Sequence, residues 1–279
     1  MPIVGKQASI VSFQGGKLVY NHVYKIECLT NLHVGSGDVN FNIIDNEVER
    51  DAVTGFPIVH ASGLKGALRE HFSKSANLSY DITDVFGQEP VRKKGQENVV
   101  KPGAYKFFDA RLIARPMRVS GQVASVSVVS EKSVNDFIRM MNMFGIDKFG
   151  SKELAPVAFP EGVNFLTNVN GINNIEGEKI DKLPEDTAKA LALLKDVIGE
   201  NIALVKDFNL FALPVVARNY LEDGTSKNLW YEEIVPHDSV FYSVILTPDE
   251  EMLLDLDDII QIGGHASIGC GFTKFTKLN

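Results

Sequence analysis

Cysteine occurs only twice in the 279 residues, at Cys28 and Cys270. Two cysteines that far apart offer neither a disulfide framework nor zinc-ligand spacing, so a reducing cytoplasmic setting is the expectation. No apolar run reaches the roughly 20 residues a membrane helix needs. The opening stretch MPIVGKQASIVSF has one lysine and lacks the apolar core of a secretory signal. No membrane contact is therefore expected. Short-period repeats and low-complexity tracts are also missing. With 44% hydrophobic and 23% charged residues the chain reads as one large globular domain or one core with insertions. A basic excess is lacking too: the formal net charge is −8, which by itself argues against a nucleic-acid partner. The distribution softens that objection. Residues 1–120 hold 15 Lys and Arg against 12 Asp and Glu, and residues 121–279 hold 13 against 24.

Periodicity places the elements. Residues 23–30 alternate, with Tyr24, Ile26 and Cys28 forming an apolar side, and read as a half-buried strand. A glycine-punctuated loop, LHVGSGDVNFN, follows, and residues 56–60 read as a short buried strand. Ser62 is a plausible N-cap for GLKGALREHFSK, where Leu64, Ala67, Leu68 and Phe72 make one apolar stripe. Strands are expected at 105–114 and 123–130, and a helix capped by Ser133 through Phe144. The Gly-, Asn- and Pro-rich residues 150–182 read as an insertion, and 185–198 as an amphipathic helix. Strands at 211–218 and 228–247 flank the turn LEDGTSKN, and a last helix is expected at 249–260. Strands followed by helices, with antiparallel returns, give an α+β fold that a ferredoxin-like core would suit.

Five segments carry residues suited to chemistry. In His33-Val34-Gly35-Ser36-Gly37 the backbone amides could curl round an anion, with His33 donating to phosphate; the alternative is a tight turn beside a partly buried histidine. Asp45, Glu47, Glu49 and Asp51 share one face of an extended segment. Such a carboxylate could hold Mg²⁺ or accept a proton, or could be a solvated acidic edge. In SGLKGALREHF, Ser62, Gly63 and Gly66 would let an RNA backbone approach a helix N-terminus, with Lys65 and Arg69 adding charge. In LWYEEIVPHDSVF, Trp230, Tyr231 and Phe241 could stack on bases or be the core aromatics of a strand pair, and Glu232 and Glu233 could act as acid or base. The tail IGGHASIGCGF lacks the dinucleotide spacing, yet Gly263, Gly264 and His265 could pass beside a phosphate backbone.

In their order along the chain these segments do more than each alone. LHVGSG, IIDNEVER, TGFPIVHASGLKGALRE, LWYEEIVP and QIGGHASIGCGF, spanning about residues 23–275, resemble the RAMP superfamily. Within it they are similar to the repeated backbone subunits of the Cmr module in type III-B CRISPR complexes. That resemblance implies one RAMP domain over residues 1–279, with an RRM-like palm, inserted fingers and a thumb hairpin at about 214–235. Residues 150–200 match poorly and are read as an insertion. It further implies partners: guide RNA, target single-stranded RNA, further copies of the chain stacked helically, and other subunits of the module. The loop aspartate that cuts target RNA falls on Asp45, with a divalent metal, Mg²⁺ or Mn²⁺. The loop histidine falls on His33, the first glutamate of WYEE on Glu232, and a guide-phosphate contact on Lys65. Some members carry an aromatic residue where Ile234 stands here.

Other readings compete. A guide-binding subunit that does not cut would share every RNA contact, and some RAMP relatives process guide RNA by metal-free acid–base chemistry. A small-molecule enzyme on the same fold is a further class, since fold does not fix function. No cofactor fingerprint supports it.

Overall fold

The computed structural model describes residues 10–12, 18–37, 43–74, 79–88, 101–207, 210 and 212–279. The chain opens with strands β1 (Ile10–Ser12), β2 (Leu18–Cys28) and β3 (Ile58–Val59), then helices α1 (Ala61–Ser73) and α2 (Ile82–Phe86). Next come β4 (Lys106–Phe107), β5 (Ala110–Gly121), β6 (Ser125–Ser130) and α3 (Glu131–Met143). The middle holds β7 (Phe165–Thr167), β8 (Ile172–Ile175), β9 (Ile180–Asp181), α4 (Glu185–Ala192), α5 (Lys195–Ile198) and β10 (Ile202–Val205). The last part holds β11 (Val215–Glu222), β12 (Thr225–Glu233), β13 (Val240–Thr247), β14 (Ile259–Gln261) and β15 (Phe272–Lys277).

The result is mixed α+β, dominated by one large sheet in the order β14-β15-β2-β13-β5-β6-β10-β7-β9. Every neighbour from β14 to β6 is antiparallel. Side-chain alternation splits the core between the two faces. Tyr24, Ile26, Phe241, Ile245 and Phe275 point to the face covered by Leu64, Leu68 and Phe72 of α1. Val23, Tyr242, Val244 and Leu246 point to the face covered by Val134, Phe137, Ile138 and Met141 of α3. Layers on both faces explain why all eight residues of β13 are buried and why VFYSVIL reads as one apolar run. β11 and β12 stand apart as a two-stranded sheet. Asp223 and Gly224 form their turn with φ of 49° and 74°, the left-handed pair that Asp-Gly tolerates.

Several boundaries differ from expectation. The 23–30 strand begins five residues earlier, at Leu18. Ser62 does not cap α1. The N-cap position is His60, and the Asp109 carboxylate takes the Ala61 N–H at 2.7 Å. Ser130, not Ser133, caps α3, with Ser133 returning the bond as the third residue of a capping box. The expected 185–198 helix breaks into α4 and α5. Leu194 donates to Leu191 and Val197 to Leu194, tightening the chain to bury all three side chains. The expected 228–247 strand splits at Pro236, which has no N–H to pair, and at Asp238, with φ 63°. The expected helix at 249–260 is an irregular segment. Its apolar residues Met252, Leu254 and Leu256 recur every second position and pack on the α1 face, as extended chain does. Within 150–182, β7 and β8 pair with β10 and β5, so part of that stretch belongs to the main sheet.

Candidate active site and nucleic-acid interface

Three stretches converge at the root of the β11–β12 hairpin. β2 runs into a loop whose Leu32 pairs with Val235, fixing His33 beside the hairpin. The segment 45–50 returns along both. Asp45 N–H donates to Tyr231 O at 3.0 Å, and Tyr231 N–H donates to the Asp45 carboxylate at 2.8 Å. Asn46 pairs with Glu232 in a parallel bridge, and Gly35 with Val48 in an antiparallel one. The expected alternation along 45–51 holds. Asn46, Val48 and Arg50 turn toward the hairpin root, while Asp45 stays exposed. Residues 38–42 of the expected loop lie outside the described residues.

Glu232 and Glu233, being consecutive in a strand, point to opposite sides. Glu233 accepts from Arg50 at 2.7 Å and from the Val48 N–H at 3.2 Å. Glu232, only 1% exposed, accepts from Trp230 Nε1 at 2.7 Å, Arg218 Nε at 3.0 Å and Asn46 Nδ2 at 3.2 Å, with His265 Nε2 at 3.4 Å. Burial pushes its carboxyl pKa up. The Trp230, Arg218 and Asn46 donors and the His265 ring outweigh that and hold it below the usual carboxylate range. It is an ionised acceptor tying together the hairpin, the Asp45 segment and the tail loop.

His33 is buried, and its Nδ1 donates to the Glu233 carbonyl at 2.8 Å, leaving Nε2 as the ring's free position beside Gly35. The His265 ring lies 5.2 Å from it. Gly263 brings the tail loop there. With φ of 79°, its would-be Cβ falls 2.4 Å from the His33 carbonyl, so only glycine fits, and Gly264 N–H donates to the same carbonyl at 2.9 Å. Gly263 and Gly264 thus have packing duties.

The anion-nest reading of His33–Gly37 does not hold as drawn, because Ser36 N–H is spent on the Glu47 carbonyl. Gly35 and Gly37 remain exposed at its rim. Trp230 is half-buried with its indole turned back onto Glu232 rather than free for a base. On α1 the N-terminus is occupied by Asp109. Ser62, Gly63 and Gly66 are exposed, and Lys65 and Arg69 are half-buried. Lys65 forms no ion pair among the described residues. Gly63 and Gly66, with Ala67, His71 and Lys74, line a cleft of about 560 Å³ closed on its far side by Gln261 and Gly263. The SGLKG and GGH segments, 200 residues apart, therefore share one cleft. A Cβ at Gly63 or Gly66 would meet nothing within 4 Å. Glycine inside a helix costs about 1 kcal/mol against alanine, so contacts among the described residues do not account for either one.

Asn46, Arg50, Asp109 and Arg218 were not singled out from sequence. Arg218 is a cross-strand diagonal neighbour of Glu232 through the β11–β12 register, which the Asp-Gly turn alone does not give because a bulge between Tyr220 and Leu221 shifts the pairing by one residue. Among the described residues no three His, Cys, Asp or Glu side chains come together as a metal-holding group. Among the described residues Asp45 therefore belongs to no protein-built metal centre.

Comparison with known proteins bears on the family and the fold. The family model of the RAMP superfamily matches residues 25–274. The Cmr endoribonuclease Cmr4 of the CRISPR system of Pyrococcus furiosus is 30% identical over 89% of this chain and 92% of its own length. The CMR subunit Cmr4 of Saccharolobus solfataricus is 26% identical over 91% of this chain and 95% of its own. Among solved structures, a chain of the type III-B Cmr-beta complex bound to cognate target RNA superposes with a TM-score of 0.68 at 20% identity, covering 92% of this chain and 97% of that one. Oligomeric Cmr4 from Pyrococcus furiosus superposes with a TM-score of 0.65 at 22% identity, covering 92% and 98%. At such identities these two likenesses speak for fold alone, whereas the family match and the 30% relative go further: the chain belongs to the RAMP superfamily, among the backbone subunits of Cmr modules.

Proposed function

We propose that the chain is a repeated backbone subunit of a type III-B CRISPR complex that binds guide RNA and cuts the paired target RNA, with Asp45 at the reacting phosphodiester. The observation that carries this is the pair of hydrogen bonds between Asp45 and Tyr231, which fixes an exposed carboxylate at the root of a protruding hairpin. The partners are guide RNA, target RNA, further copies of the chain and other Cmr subunits, in the cytoplasm. The strands β15-β2-β13-β5, with α1 crossing between β2 and β5, have the order of a ferredoxin-like palm whose second helix is replaced by the irregular 248–258 segment. β11–β12 is the thumb, and the cleft between α1 and the tail loop is the guide track, with Lys65 on a phosphate.

In this reading a target 2′-hydroxyl attacks the adjacent phosphorus, and Asp45 takes its proton. The P–O5′ bond breaks as the 2′ oxygen bonds to phosphorus, and His33, anchored through Nδ1, presents Nε2 to the leaving 5′ oxygen, which takes up a proton. Glu232, ionised and fully bonded, positions Asn46 and hence Asp45. A divalent ion, Mg²⁺ or Mn²⁺, fits only as a group shared between Asp45, water and RNA phosphate oxygens, where it would neutralise charge at phosphorus.

Asp45→Ala in an assembled complex tests the assignment. Proton transfer by a placed group contributes about 10²–10⁴-fold. Cleavage at every regularly spaced site should fall by that much, while guide and target binding persist. Chelation of divalent ions should mimic it if the shared ion is correct. The Tyr231 bond also gives Asp45 a structural task, which favours a non-cutting subunit as the second reading. Full-rate cutting by the Asp45→Ala complex would leave only that one.

A further inference from the structure

On the opposite face of the sheet from α1, a cavity of about 210 Å³ lies between the 51–58 turn, β5, β13 and α3. One wall is apolar: Val53, Phe56, Pro57, Ile58 and Leu112. The other is charged. Lys132, Asp136 and Arg139 share one face of α3 at helical spacing, and Arg111 and Tyr242 are cross-strand partners on β5 and β13. The anions here are already engaged. Asp51 accepts from Thr54 N–H and Oγ1 and from Val53 N–H, and Asp136 pairs with Lys132 and Arg139. Arg139 also forks onto Glu153 outside the cavity. Tyr242 is different. It is 1% exposed, and its hydroxyl finds no acceptor among the described residues, its hydrogen-bonding neighbour being the Arg111 guanidinium. Arg111 beside it can only donate. Burial, foremost, pushes the Tyr242 phenol pKa far up, so it keeps its proton and its need for an acceptor.

We propose that this cavity takes a carboxylate carried on a short apolar body, its oxygens accepting from Tyr242 and Arg111 and its carbons against Val53 and Phe56. The cations of the lining, Arg111, Lys132 and Arg139, outnumber its carboxylates, Asp51 and Asp136, so an anion is favoured over a neutral or cationic guest. The volume far exceeds the roughly 30 Å³ of one water. Two sources share this chemistry: an acidic side chain of a second copy, and a free short-chain acid. The acid excess of residues 121–279 and Val53, 88% exposed near the mouth, speak for the first.

The test is titration of the full chain with sodium butyrate at constant ionic strength, by calorimetry and thermal melting, with butyramide as the neutral twin. Butyrate should bind and raise Tm, and butyramide should not. R111Q, which removes a charge-assisted partner, should weaken butyrate at least about tenfold. Y242F, which keeps the ring and its packing, should weaken it several-fold. Circular dichroism of both unliganded variants checks that they fold. No binding to the wild type, or equal binding to R111Q and Y242F, overturns the site. Sedimentation separates the sources. Self-association lowered by both butyrate and R111Q assigns the carboxylate to a second copy, and unmoved self-association with butyrate bound assigns it to a free acid.

Discussion

Glu232→Gln keeps the shape of the side chain and changes what it can accept. The amide oxygen can still take the Trp230 and Asn46 donors at the place of Oε1. The amide nitrogen would then face Arg218 Nε, donor against donor, where a 3.0 Å charge-assisted bond stood. Such a bond contributes about 1.5–3 kcal/mol. Arg218 is partly exposed and can turn to water, so the lower end applies. At this chain length about 1.5 kcal/mol lowers Tm by roughly 2–4 °C. The pH dependence has a definite sign. The folded carboxyl sits below its ordinary value of 4.5, so its stabilisation is full above that value and fades as pH falls through the folded one. Melts of both proteins should differ by a constant amount between about pH 6 and 8, and the difference should shrink below about pH 4.5. Cleavage should drop with little loss of RNA binding, since Glu232 reaches the target only through Asn46. Equal Tm values at neutral pH, or a gap that widens on acidification, would refute the reasoning.

Lys65→Ala should weaken RNA binding without regard to sequence and lower the slope of log K against log salt by about one, measured by titration at several salt concentrations. Gly66→Ala should act with opposite signs on two readouts. The fold gains up to about 1 kcal/mol of helix propensity, since the new methyl meets no protein atom, while RNA affinity falls because the methyl stands in the cleft. A loss of Tm, or unchanged affinity, would refute it. Gly263→Ala should destabilise by at least about 1 kcal/mol, since φ of 79° and a 2.4 Å approach to the His33 carbonyl leave no room, and the His33 environment should shift in NMR spectra.

Local chemistry was legible where the chain's own period sets the structure. The 3.6-residue stripe Leu64-Leu68-Phe72 and the alternation of Tyr24, Ile26 and Cys28 appear as read, because each faces one layer. Readings failed where partners lie far along the chain. Asp109, 48 residues on, took the capping role expected of Ser62. DEEMLLDLDD could be a helix by composition, but Leu254 and Leu256 are held by a sheet that sequence alone does not place. The site follows the same division. Asp45, His33 and Glu232 could be named, yet the bonds joining residues 46, 218 and 232 exist only through the hairpin register and the parallel bridge at its root.

That root makes two motions into one. A two-stranded hairpin standing alone is marginal in water, and this one exposes Tyr220, Leu221, Leu229 and Tyr231. It keeps its direction through Glu232 and Glu233, whose partners Asn46, Val48 and Arg50 lie on the strip that begins with Asp45. Rotating the hairpin therefore drags Asp45, because Tyr231 holds it by backbone and side chain alike. Ligand contact at the hairpin and placement of the carboxylate are then a single degree of freedom. Any partner that orders the hairpin also sets the direction of Asp45, and one that bypasses the hairpin leaves the two free to turn together.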